Sequence, residues 1–150
     1  MINVFIIDDH PAVIEGLAFM ISNHEEDDIF VVGSALNMSK ALETIPKLDI
    51  QVIILDLFIG KDLPLNNFNL LKNICPDAAV MVYSAEDSIQ WKYCMFKAGV
   101  NAYLGKCESP ELIIPTIKKI ADGSVYQSSP DSINLSTWKK MEKTMFCHEF

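Results

Sequence analysis

The chain opens with a short, nearly continuous apolar run, Ile-Asn-Val-Phe-Ile-Ile at residues 2–7. The polar group Asp8-Asp9-His10-Pro11 breaks it, and Val13, Ile14, Leu17, Met20 and Ile21 then recur three or four residues apart. The first pattern predicts a strand buried on both faces, and the second predicts an amphipathic helix opened by Pro11 in its first turn. The unit repeats. Strands are predicted at 30–34, 51–55, 79–83 and 101–104, and helices at 37–45, 66–74, 88–98 and 110–121. The last of these begins with Ser109 as cap, Pro110 at the first position and Glu111 beside the positive dipole end. Pro115 inside it removes a backbone donor and predicts a kink or a distorted first half. Five short strands alternating with five helices imply a doubly wound α/β fold, a mainly parallel five-stranded sheet with helices on both faces, because right-handed crossovers place each helix across the sheet.

This unit is expected to end at residue 123. Residues 124–134, rich in Ser, Gln, Pro and Asp, read as a linker, and in 135–150 Leu135, Trp138, Met141 and Met145 are spaced for one face of a final helix. With 150 residues, half of them hydrophobic, the chain can build a core as one domain. It lacks an apolar run near the ~20 residues a membrane span needs and a basic leader at its start, so a cytoplasmic protein without membrane contact is expected. Cys75, Cys94, Cys107 and Cys147 are too scattered for a zinc site or a disulfide framework. The net charge is −8 and all twelve basic residues are lysines, so this segment offers no arginine fork for nucleic acid.

In an open parallel sheet the functional crevice lies beyond the carboxyl ends of the strands. The polar residues at those ends are Asp8 and Asp9 after the first strand, Asp56 after the third, Ser84 after the fourth and Lys106 just past the fifth. Taken singly, Ser84 reads as a helix cap and Lys106 as a surface lysine; their joint placement makes a site. Clustered carboxylates repel, and a hard divalent ion with oxygen ligands, Mg²⁺ by its chemistry, resolves the repulsion. A carboxylate neutralised in this way can act as nucleophile toward a phosphoryl donor, with the Ser84 hydroxyl and the Lys106 ammonium on the transferred oxygens.

These residues, in this order, resemble the receiver domains of two-component response regulators, in the branch with a LuxR-type output. The resemblance rests on Asp8-Asp9-His10-Pro11 with Glu15-Gly16-Leu17, on Leu55-Asp56-Leu57, on Ser84-Ala85, on residues 98–106 (Ala-Gly-Val-Asn-Ala-Tyr-Leu-Gly-Lys), on Ser109-Pro110-Glu111-Leu112 and on Gly123-Ser124-Val125-Tyr126. It implies a CheY-like (flavodoxin-like) strand order 2-1-3-4-5 and phosphorylation of Asp56 by a sensor histidine kinase. Mg²⁺ is then held by Asp9, with Asp8, Asp56 and the Phe58 carbonyl. Ser84 and Tyr103 become switch residues, although an aromatic in a short edge strand by itself reads as packing, and His10 reads as a helix-entry residue in preference to a phosphate-facing group. The resemblance further implies a signalling domain rather than an enzyme, with transcription regulation as output and homodimerisation through the 88–121 face or the C-terminal helix. Residues 135–150 then read as the start of an output domain, and DNA contact would come only through such a domain.

The chain departs from the family after Asp56. Phe58-Ile59-Gly60-Lys61 runs into Asp62-Leu63-Pro64-Leu65-Asn66-Asn67, a loop about three residues longer than usual, and Asn66 or Asn67 is expected to supply its left-handed turn. Cys107 follows Lys106 where many receivers carry proline. Three other functions compete: a receiver-like module that binds partners without phosphorylation, a haloacid dehalogenase-type phosphohydrolase, and a flavin or dinucleotide binder. The second wants an Asp-x-Asp-x-Thr/Val run that residues 8–12 do not supply, and the third wants glycine where the first loop is acidic.

Overall fold

A computed structural model describes residues 1–127. The predicted linker beyond that point and the predicted helix at 135–150 lie outside the described residues. In chain order the elements are β1 (Ile2–Ile7), α1 (Pro11–Ser22), β2 (Ile29–Ala35), α2 (Met38–Thr44), β3 (Val52–Leu55), α3 (Pro64–Ile74), β4 (Ala79–Ser84), α4 (Ile89–Ala98), β5 (Ala102–Gly105) and α5 (Ile113–Ile120). The five strands are all parallel and run in the order β2-β1-β3-β4-β5.

Strand periodicity divides the core in two. Phe5 and Ile7 of β1, Ile53 and Leu55 of β3, and Val80 and Val82 of β4 point to one face, where α2, α3 and α4 contribute Ala41, Phe68, Leu71 and Met95. Val4, Ile6, Val52, Ile54 and Met81 point to the other face, against Leu17 and Ile21 of α1 and Ile113, Ile117 and Ile120 of α5. Helices on both faces explain why these strands read as continuous apolar runs rather than alternating ones. A bulge between Val4 and Phe5 shifts the β1–β2 register, and Gly33 lies opposite Phe5 there. A Cβ on Gly33 would come within 2.8 Å of the Phe5 ring, so this position accepts only the smallest residue.

The element boundaries differ from the sequence expectation where capping and proline act. α3 begins at Pro64, two residues early, because a proline at the first helical position loses no hydrogen bond. Neither Asn66 nor Asn67 makes a left-handed turn, since both lie inside α3. Among the described residues the positive φ values fall only on glycines, and Gly60, at φ 66°, turns the loop instead. The predicted 110–121 helix is split as Pro115 demands: Pro110–Leu112 form a 3₁₀ turn, and the α-helical hydrogen bonding starts only at Ile113.

Candidate functional site

Register builds the site. Ile7 of β1 pairs with Leu55 of β3, so the next residues, Asp8 and Asp56, emerge side by side from adjacent strands. The Asp56 N–H donates to the Ile7 carbonyl at 2.9 Å, and the Asp8 N–H donates to Ala35 at 3.1 Å, which fixes both backbones just past the sheet edge. Ser84 pairs with Gly105, and the Lys106 N–H donates to the Ser84 carbonyl at 2.7 Å. From there the lysine stem reaches across the strand ends. Its Nζ donates to Asp8 Oδ2 at 2.8 Å and stands 3.8 Å from Asp56 Oδ1. Asp8 and Asp56 are buried, whereas Asp9 is exposed.

The charges are in tension. Burial pushes the Asp56 carboxyl above the ordinary range, and the neighbouring Asp8 carboxylate pushes it further; Lys106 pulls the other way. His10, which the sequence offers as a phosphate-facing group or, more simply, a helix-entry residue, joins the cluster. Its Nδ1 lies 2.8 Å from Asp9 Oδ1 and 3.2 Å from Asp8 Oδ1, and its backbone N–H donates to Asp8 Oδ1 at 2.9 Å. The ligand atoms of Asp8, Asp9, His10 and Asp56 all lie within 4.8 Å of one another. Three carboxylates at this spacing offer oxygen ligands from two strand ends, a set whose chemistry suits a hard divalent cation. Phe58 is half-exposed, with its ring edge-on to Trp91 of α4 at 5.2 Å between centroids.

Ser84 does not cap α4; Ser88 does, accepting from the Trp91 N–H. Instead the Ser84 Oγ accepts from the Glu86 N–H at 3.1 Å, and the Ser84 side chain also lies within hydrogen-bond reach of the Tyr103 phenol. Tyr103 is buried among the α2–α4 side of the core, and its hydroxyl donates to the Glu86 carbonyl. Burial and the nearby Glu86 and Asp87 carboxylates raise the Tyr103 phenol far above its ordinary pKa, so it stays a donor. Glu86 therefore joins Ser84 to Tyr103 through its two backbone groups. Nothing in the sequence marks it, because backbone groups carry no residue signature. The Lys106–Cys107 segment is pinned, with Glu108 Oε2 accepting from the Gly105 N–H at 2.7 Å.

The family model for the response regulator receiver domain matches residues 4–118. A nitrate/nitrite response regulator homologue from Haemophilus influenzae is 33% identical over 137 residues, covering 88% of this chain and 62% of its own. Among solved structures, a LuxR-family two-component response regulator from Aurantimonas superposes with a TM-score of 0.77 at 20% identity, over 95% of this chain and 98% of that one. A response regulator from Burkholderia pseudomallei, solved with a phosphorylated aspartic acid, a calcium ion and citrate, gives 0.69 at 26% identity, over 81% of this chain and 69% of that one. The chain spans 59%, 55% and 62% of the length of three curated relatives that it matches.

Proposed function

Given that the chain belongs to the response regulator receiver domain family, we propose that Asp56 is a phosphoacceptor, charged by a sensor histidine kinase and read out through the α4–β5–α5 face. The observation that carries this reading is the buried Asp56 carboxylate beside Asp8, with the Lys106 ammonium 3.8 Å from its Oδ1. An Asp56 oxygen attacks the phosphorus of a phosphohistidine. The new O–P bond forms as the donor's N–P bond breaks, and the departing imidazole keeps the electron pair and takes up a proton. Lys106 neutralises negative charge on the transferred group, and the Ser84 O–H donates to one of its oxygens. Asp8, Asp9, Asp56 and the Phe58 carbonyl would hold Mg²⁺, whose positive charge lets the carboxylates and the anionic phosphoryl group approach one another.

The switch follows from the bonds at Glu86. When Ser84 turns toward a phosphoryl oxygen, its hold on the Glu86 N–H changes, and the Tyr103 hydroxyl bonded to the Glu86 carbonyl responds. The product is a population shift in the α4, β5 and α5 region, the face we assign to dimerisation. Transcription control, in the cytoplasm and through an output domain, is the function we assign to the whole regulator. Among the described residues no helix is long and apolar enough to cross a membrane.

Incubation with acetyl phosphate or phosphoramidate tests the proposal. Acid-labile phosphoryl incorporation that requires Mg²⁺ and disappears in Asp56→Asn is expected. Undiminished incorporation in the variant refutes it, as does failure of every small-molecule and kinase donor to label the parent. In that case a receiver-like module that binds its partners unphosphorylated is left, and its partner binding would survive Asp56→Asn.

A further inference from the structure

Lys106 is fixed at its backbone and free along its stem. Its N–H donates to the Ser84 carbonyl at 2.7 Å, and Glu108 braces the preceding Gly105 twice, accepting from its N–H at 2.7 Å and donating to its carbonyl at 3.0 Å. Beyond the Cα run four methylenes to an ammonium, a flexible stem whose tip goes where it is attracted. Two of the attractions are carboxylates, Asp8 Oδ2 at 2.8 Å and Asp56 Oδ1 at 3.8 Å. Both are also assigned above to Mg²⁺, and a carboxylate shared with a dication attracts an ammonium less.

A third attraction uses neither carboxylate. The Lys106 Nζ stands over the ring of Tyr83, 6.0 Å from its centroid. Tyr83 is the last residue but one of β4, pairs with Leu104 of β5, and packs half-buried on the α1/α5 side of the core, so the ring is held by the sheet. The face of an aromatic ring is the negative pole of its quadrupole, and an ammonium within about 6 Å of the centroid is drawn to it. A hard cation that wants oxygen ligands does not compete for that face. Burial raises the Tyr83 phenol above its ordinary pKa, with Lys106 pulling the other way, so the ring stays neutral around pH 7.

We propose that Tyr83 is a positioning residue whose ring face holds the Lys106 ammonium at the strand ends while Asp8 and Asp56 serve other partners. The contact stands by itself; its consequence for phosphorylation rests on the reading of Asp56 as phosphoacceptor. Because the ring face does the holding and the hydroxyl does not, phenylalanine should replace Tyr83 and an electron-poor ring should not.

Two replacements keep a six-membered ring at this position. Tyr83→Phe retains the negative face, and pentafluorophenylalanine in place of Tyr83 reverses it. In the metal-free full chain with lysine labelled at its ε-carbon, the Lys106 methylene protons are assigned by their absence in Lys106→Met. They should resonate upfield of those of exposed lysines, stay there in Tyr83→Phe, and move to the exposed-lysine position in the fluorinated protein. With acetyl phosphate and saturating Mg²⁺, Tyr83→Phe should be labelled at the parent rate and the fluorinated protein about fivefold more slowly, the scale of one cation–π contact. An ordinary Lys106 position in the parent overturns the proposal, as does a Lys106 shift or a labelling rate that fluorination leaves unchanged. A parent that no donor labels refutes the phosphoacceptor reading instead, and the Lys106 shifts still decide the ring contact.

Discussion

Asp56 occupies a position that disfavours its own charge. Burial and the Asp8 carboxylate raise its pKa above the ordinary value of 3.8, with Lys106 only partly offsetting them. Between its unfolded and folded values the native state therefore binds more protons than the unfolded chain. Stability contributed by this residue falls as pH rises through that window and stays lowered above it. Asp56→Asn keeps the shape and removes the charge, so the variant should be more stable than the parent at pH 7 by about 1 kcal/mol. Urea unfolding should show a higher midpoint at an unchanged slope, and a flatter pH dependence between 3.8 and neutrality. A lower midpoint at pH 7 would contradict the electrostatic account of the pocket. Asp8, Asp9, Asp56 and Lys106 were legible in the sequence because each follows an apolar strand. For His10 the sequence favours the helix-entry reading over the pocket one, since a polar residue before a helix-opening proline looks the same whether or not its ring turns back onto the carboxylates.

Elements are held in place by polar groups that the hydrophobic pattern does not reveal. Asn101 is buried beside β5; its Oδ1 accepts from the Val80 N–H at 3.0 Å while its Nδ2 donates to the Gly123 and Ser124 carbonyls. The side chain thus joins β4 to the segment after α5, and the strand itself starts one residue later than the apolar pattern suggests, at Ala102. Asn101→Ala strands a buried donor and frees two carbonyls, and should lower the unfolding free energy by about 2–3 kcal/mol. A loss below about 0.5 kcal/mol, the scale of an ordinary surface substitution, would show that the clamp contributes nothing. The loop after β3 is the other place where local rules were misread. Gly60 turns the chain and Pro64 starts α3, leaving Asn67 buried in the helix with its Oδ1 unpartnered and its Nδ2 3.5 Å from the Ile59 carbonyl. Asparagine is a common left-handed residue, but a glycine and a helix-opening proline within the same loop outrank it.

For the whole molecule, the sheet, its two-sided core and the carboxyl-end pocket followed from apolar runs of strand length separated by helical stripes, because crossover handedness leaves few other arrangements. The coupling from Ser84 through the Glu86 backbone to Tyr103 did not, since it depends on loop geometry and not on residue type. All of the proposed signalling begins with one covalent event at Asp56. Borohydride reduction after exposure to acetyl phosphate and Mg²⁺ tests that event most directly, because hydride converts an acyl phosphate to an alcohol at the modified residue alone. Peptide mass spectrometry should find homoserine at position 56 and unmodified aspartate at positions 8 and 9. Homoserine at either of those positions, or aspartate retained at 56 in protein that carries acid-labile phosphate, would contradict the assignment.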